Sequence, residues 1–103
     1  MNNIYGEPGN IPRVAKVIMA VSHPIRYKMI CLIGAGDISL MSLTKAVNSS
    51  RGNTSQHLIL LKNAGLVVSK RIDNRVYCHI ADPRILYILS TIKNIFSKNN
   101  IIK

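Results

Sequence analysis

Two strand-like runs, Leu66–Ile72 and Arg75–Ile80, are separated only by Asp73 and Asn74, and they follow a helix-forming stretch that Gly65 stops. Asp-Asn is a turn dipeptide and both runs have strand composition, so the segment reads as a β-hairpin. Most of the chain before it and the stretch after it carry helical spacing. The hairpin therefore sets the class: mainly α with one small β-hairpin near the C-terminal end.

The helices can be placed around it. Residues 1–10, with Asn, Gly and Pro, read as a flexible lead-in. Pro12 suits the first turn of a helix running to about Val21, with Val14, Val17, Ile18 and Val21 on one face. Ser22 is expected to cap a second helix that begins at Pro24, carries Ile25, Met29, Ile30 and Leu32, and ends at Gly34-Ala35-Gly36. Asp37–Leu40 is expected to be an isolated strand leading into a third helix from Met41 to about Val47. Asn48-Ser49-Ser50 forms a turn, and Ser50 caps a fourth helix from Arg51 to about Asn63. Asp82-Pro83 opens a last helix, and the tail 99–103 frays. The order α-α-β-α-α-β-β-α is that of a winged helix-turn-helix, one domain over 11–98. The 103 residues leave no room for a second core.

Charge narrows the function. Lys and Arg number 14 against 4 Asp and Glu, a formal +10 at pH 7, which favours a polyanionic partner and nucleic acid first. Met1–Pro12 carries no hydrophobic signal core, and no apolar run approaches the roughly 20 residues of a membrane helix. A cytoplasmic location without membrane contact follows. Cys31 and Cys78 sit in apolar stretches and do not suggest a secreted disulfide framework.

The fourth helix divides into two faces at about 100° per residue. Thr54, Leu58 and Leu61 fall together and would pack on the domain. Asn53, Gln56 and His57 fall on the neighbouring face, with Leu60 behind them. Asn and Gln amides suit adenine edges, and Arg51 suits guanine or a phosphate. Ser50 and the free amides of the first turn suit a phosphate oxygen. The DNA-contacting set expected on this helix is Ser50, Arg51, Asn53, Thr54, Gln56 and His57. In the wing, Lys70, Arg71, Asn74 and Arg75 surround the hairpin tip and would grip phosphates without reading sequence. Between Lys45 and His79 the cations Lys45, Arg51, Lys62, Lys70, Arg71 and Arg75 face the single acid Asp73.

Several stretches together resemble the ArsR/SmtB family of bacterial winged-helix repressors. They are Ser22-His23-Pro24-Ile25-Arg26, Ser55-Gln56-His57-Leu58 through Leu61 to Ala64-Gly65-Leu66-Val67, Arg75-Val76-Tyr77, and Ala81-Asp82-Pro83-Arg84. The resemblance spans roughly residues 13–90. It implies dimers built by the first and last helices, repression relieved by an inducer, and Ser50 to His57 against the major groove.

The chain departs from the metal-sensing members of that family. Where some of them bind arsenic or cadmium through cysteines, this chain has Ser39-Leu40-Met41-Ser42, and the last helix mostly lacks the usual carboxylate and histidine ligands. No metal and no cofactor is expected. Cys31 occupies the second-helix position where thiol- and persulfide-sensing relatives carry one of two reactive cysteines, and the last helix has no second one. It is either a redox sensor or a small apolar side chain. Cys78, in phase with Val76 and Ile80, is expected to face the core. His23 is expected to cap, His57 to touch DNA and His79 to lie at the surface.

The last helix is apolar over more than one stripe, more than a single subunit of this size can cover. Val14, Val17 and Ile18 of the first helix, with Ile88, Leu89, Ile92, Ile95 and Phe96 of the last, are expected to form a two-fold homodimer interface. Such a dimer would bind double-stranded DNA at an inverted-repeat operator. An enzyme finds little support, because Glu7, Asp37, Asp73 and Asp82 are scattered and no acid–base pair or phosphate loop is present. A protein-interaction module on the same fold would predict a neutral or acidic wing. An activator or architectural DNA-binding protein fits the same residues as a repressor does.

Overall fold

The computed structural model describes residues 9–97. The expected lead-in over residues 1–8 and the frayed tail lie outside the described residues. The elements are α1 (Asn10–Val21), α2 (Pro24–Gly34), β1 (Ile38–Ser39), α3 (Leu40–Ala46), α4 (Arg51–Asn63), β2 (Val67–Ile72), β3 (Arg75–Ile80) and α5 (Pro83–Phe96). Helices surround a three-stranded antiparallel sheet of order β1-β3-β2.

Most boundaries have a local chemical cause. Ser50 Oγ accepts the Asn53 amide at 3.0 Å and opens α4. At its other end Gly65 takes a φ of +80°, a left-handed backbone that glycine adopts without strain. The Gly65 amide then reaches Lys62 O and the Leu66 amide reaches Leu61 O, each at 3.0 Å, closing the carbonyls of the last turn. Asp73 and Asn74 both have positive φ, 49° and 66°, as a two-residue type I′ turn requires, and Ile72 pairs with Arg75 across it.

Two expectations need correction here. Ser22 does not cap α2; His23 does, its Nδ1 accepting the Ile25 amide at 3.1 Å, while Ser22 Oγ donates back to Met19 O at the end of α1. With Pro24 as the first helical residue, the N-cap has to be the residue before it. β1 is not isolated either. Ile38 pairs with Cys78 and Ser39 with Tyr77, so the wing's second strand has neighbours on both sides.

The core gathers one face from each element. Met29, Ile30 and Ile33 of α2 lie at its centre with Leu43 of α3, Leu58 and Leu61 of α4, and Leu66, Val67 and Cys78 of the sheet. Cys78 faces inward, as strand alternation with Val76 and Ile80 requires. α5 contributes no buried residue. Its Ile85, Leu86 and Leu89 are half-buried against the core, and the rest of its apolar side chains stand in solvent. Among the described residues no single helix is long and apolar enough to cross a membrane.

Asp82 opens α5 by accepting the Arg84 amide at 2.9 Å, and the Arg84 guanidinium folds back onto the same carboxylate at 2.6 Å. These bonds hold the Asp82 carboxyl down at about 2, below its ordinary 3.8. A carboxyl depressed on folding contributes stability above its unfolded value and loses it as pH falls through the folded one. Asp82→Asn should therefore show a shallower fall in melting temperature than wild type between 3.8 and about 2. Parallel curves over that range would show that the exposed bonds contribute nothing to folding.

Candidate nucleic-acid interface

α3, the turn at 47–50 and α4 make the helix-turn-helix. The turn closes at Asn48, whose φ of 53° is tolerated by asparagine better than by most side chains. α4 then buries Thr54, Leu58 and Leu61 and leaves Arg51, Asn53 and Gln56 exposed on its outer side. With Arg51, Asn53 and Gln56 open to solvent, the first two turns of α4 turn a polar strip away from the core, and Ile59 and Leu60 follow it as exposed apolar side chains.

Thr54 has to be removed from the DNA-contacting set. It is fully buried, at 0% exposure, and its Oγ1 donates to Ser50 O at 2.9 Å. Its helical spacing with Leu58 and Leu61 already put it on the face that packs on the domain, and it is buried there with them. His57 is half-buried, with Nδ1 3.3 Å from an Arg26 Nη1 and its ring centroid 4.7 Å from that of His23. Only part of this ring is left for a partner outside the chain.

The wing carries Arg71, Asn74 and Arg75 back toward the helices. Between α3, the start of α4 and the wing lies a cleft of about 350 Å³, lined among others by Ser39, Ser42, Lys45, Arg51, Arg71 and Arg75. Four cations and no carboxylate line it. A cleft lined by one sign of charge favours a polyanionic partner. Lys45 and the two serines joined this cleft without being foreseen, because only the approach of the wing to α3 brings them in. Lys70, next to Arg71 on β2, is exposed but does not line the cleft, since neighbouring strand residues point to opposite faces.

The remaining singled-out residues fall elsewhere. Val14, Ile18, Ile88, Ile92, Ile95 and Phe96 are exposed, whereas Val17 and Leu89, expected on the same face, are half-buried against the subunit's own core. His79 reaches the surface only in part, with its side chain 34% exposed and Nδ1 3.7 Å from the Asp37 carboxylate, beyond hydrogen-bond reach.

Cys31 is exposed on α2, above a groove of about 280 Å³ against α5 that also holds Tyr27, Leu86, Leu89 and Lys93. Burial, and then the neighbouring Cys31, push the Tyr27 hydroxyl up. Burial likewise pushes the Cys78 thiol up, against a smaller opposing pull from Lys62. A thiol reagent should therefore label one cysteine of the native protein quickly, and the second only after denaturation. Cys31→Ser should abolish the fast phase. Rapid native labelling of the Cys31→Ser protein would show that Cys78 is not protected.

No protein-family model matches the chain. The HTH-type transcriptional regulator YgaV of Escherichia coli (strain K12) is 32% identical over 85 residues, 82% of this chain and 86% of that protein. The biofilm growth-associated repressor of Xylella fastidiosa (strain Temecula1) is 23% identical over 83 residues, 81% of this chain and 73% of the relative. The solution structure of the homodimeric winged helix-turn-helix DNA-binding domain Mb0332 from Mycobacterium bovis, a possible ArsR-family transcriptional regulator, matches the fold with a TM-score of 0.80. That match is at 21% identity and covers 92% of this chain and 91% of the other.

Proposed function

The chain belongs to the ArsR/SmtB family of winged helix-turn-helix transcriptional regulators, and from that premise we propose that it is a cytoplasmic homodimeric repressor, without enzymatic activity, released from its operator by an inducer. The observation that carries the DNA-binding part is the carboxylate-free cleft beside the polar strip of α4. A duplex seated on this side meets side chains of two kinds. Asn53 and Gln56 reach base edges, Arg51 reaches guanine or a phosphate, and Ser50 with the first-turn amides meets a phosphate. Lys45, Lys70, Arg71, Asn74 and Arg75 hold the backbone on either side.

The dimer is supported by the apolar face that α1 and α5 leave uncovered, and by the homodimeric state named for Mb0332. A two-fold pair sets its α4 helices about 34–36 Å apart, one turn of DNA, and so matches an inverted repeat. Repression is the role named for the Xylella fastidiosa relative.

Fluorescence anisotropy on DNA from upstream of the gene, against scrambled DNA across a salt series, tests this. Preference for the upstream DNA with affinity falling steeply in salt is the expected result. Arg75→Ala should lower the salt slope by about one unit per subunit, about two for the dimer, and weaken both DNAs alike. Gln56→Ala should instead cost about 1–3 kcal/mol of preference. Equal, salt-sensitive binding to both DNAs would point to an architectural protein, and no binding at low salt to a protein-interaction module.

Exposure of Cys31 favours a second element, release by a thiol-modifying inducer. Oxidant or polysulfide treatment should weaken operator binding by the wild type and leave Cys31→Ser unaffected. Equal responses of the two proteins would eliminate a role for this thiol.

A further inference from the structure

Arg26, on the first turn of α2, is half-buried and reaches two other helices. Its Nε donates to Ala20 O at 2.6 Å and one Nη to Met19 O at 3.3 Å, both carbonyls in the last turn of α1. Its other Nη lies 3.3 Å from Nδ1 of His57 on α4. With two bonds to fixed carbonyls, the guanidinium cannot turn away from the imidazole.

A guanidinium carries only donors and stays protonated. Its contact with His57 is therefore a hydrogen bond only when Nδ1 is bare, which leaves the ring proton on Nε2. The ring of His23 sits 4.7 Å away, and its Nδ1 accepts the Ile25 amide at 3.1 Å. A proton added to Nδ1 of His57 would break the Arg26 bond and set a cation beside both Arg26 and His23. Burial first, then these two neighbours, keep the His57 imidazole below its ordinary value of 6.5.

We propose that Arg26 is a positioning residue that locks His57 as the neutral Nε2–H tautomer, so that α4 presents a hydrogen-bond donor at this position and selects a base-edge acceptor, purine N7, guanine O6 or thymine O4. The opposite tautomer would present a bare Nε2 and select an exocyclic amine instead, so a residue on a different helix decides which kind of edge group is read. This rests on α4 being the helix in the groove. It goes further in assigning the sign of one contact and the residue that sets it.

The full chain labelled with 15N-histidine and observed free in solution at pH 7.5 tests the lock without DNA. Long-range proton–nitrogen correlations should show a bare Nδ1 and a protonated Nε2 for His57, assigned by the signal lost in His57→Gln. In Arg26→Met the two tautomers should mix. A wild-type ring that carries its proton on Nδ1, or that exchanges freely, overturns the lock whether or not the Arg26 variant folds.

Binding to the upstream DNA tests the contact. Gln places an amide donor near Nε2, whereas Asn reaches only the Nδ1 position. His57→Gln should therefore keep most of the wild type's preference over scrambled DNA, and His57→Asn should lose about tenfold, the size of one base contact. Equal loss in both variants, or none, overturns the donor role. Absence of preference in the wild type removes the reading of α4 itself, while the tautomer is still decided by the spectrum.

Discussion

With Ile92 replaced by Asp, the protein is expected to run as a folded monomer that has lost operator binding. Ile92 is 49% exposed in the single subunit, and Ile88, Ile95 and Phe96 beside it on α5 are 57%, 56% and 72% exposed. Ile11, Val14 and Ile18 are likewise exposed on α1. Covering the exposed half of such a side chain contributes about 1 kcal/mol, and an unpaired carboxylate pressed into the same place costs several. Dimerisation should fail. The fold should survive, because α5 holds no buried residue and the core lies in α2, α3, α4 and the sheet. A monomer engages one half-site, so the salt slope of DNA binding should roughly halve as affinity falls. Sedimentation equilibrium with circular dichroism reads mass and fold together. A dimeric mass for this variant at micromolar concentration would show that the pair forms elsewhere.

Leu61→Ala is expected to cost about 2–5 kcal/mol of folding stability, a large share of the 5–15 kcal/mol that a domain possesses. Leu61 is fully buried, and its carbonyl also accepts the Leu66 amide that ends α4. Shortening its side chain opens a cavity between the recognition helix and the sheet, where the backbone has little freedom to collapse. Denaturant unfolding should show a lower midpoint with an unchanged slope, and a melting temperature down by roughly 10 °C or more. A loss under 1 kcal/mol would mean that α4 is held by something other than this face. Substitutions at Gln56 or Arg51, both exposed, should leave the same midpoint unmoved.

Local chemistry made much of this legible in advance. Ser50 and Asp82 announce the starts of α4 and α5, and Gly65 announces the end of α4, because each satisfies groups only a few residues away. Asp73-Asn74 declares the hairpin, because its two-residue loop needs a left-handed backbone at both positions. Period-two alternation alone turns Cys78 inward. His23 as the cap of α2 was also written in the chain, once Pro24 is taken as the first helical residue.

Other features depend on contacts that no local pattern encodes. β1 is two residues long, and its pairing spans from Ile38 to Cys78, so nothing in its own composition specifies a partner. Val17 and Leu89 turn to their own subunit while their neighbours stay open, a choice made by where α1 and α5 lie on the body. Lys45 joins Arg51, Arg71 and Arg75 only when the wing folds back over α3. Arg26 meets His57 across 31 positions of chain. The sequence by itself determined elements, caps and turns, since those are set by hydrogen bonds and backbone preferences among near neighbours. Which cations share a cleft, which apolar faces stay open and which nitrogen of His57 keeps its proton were decided by tertiary packing, since each depends on the distance between groups remote in the chain.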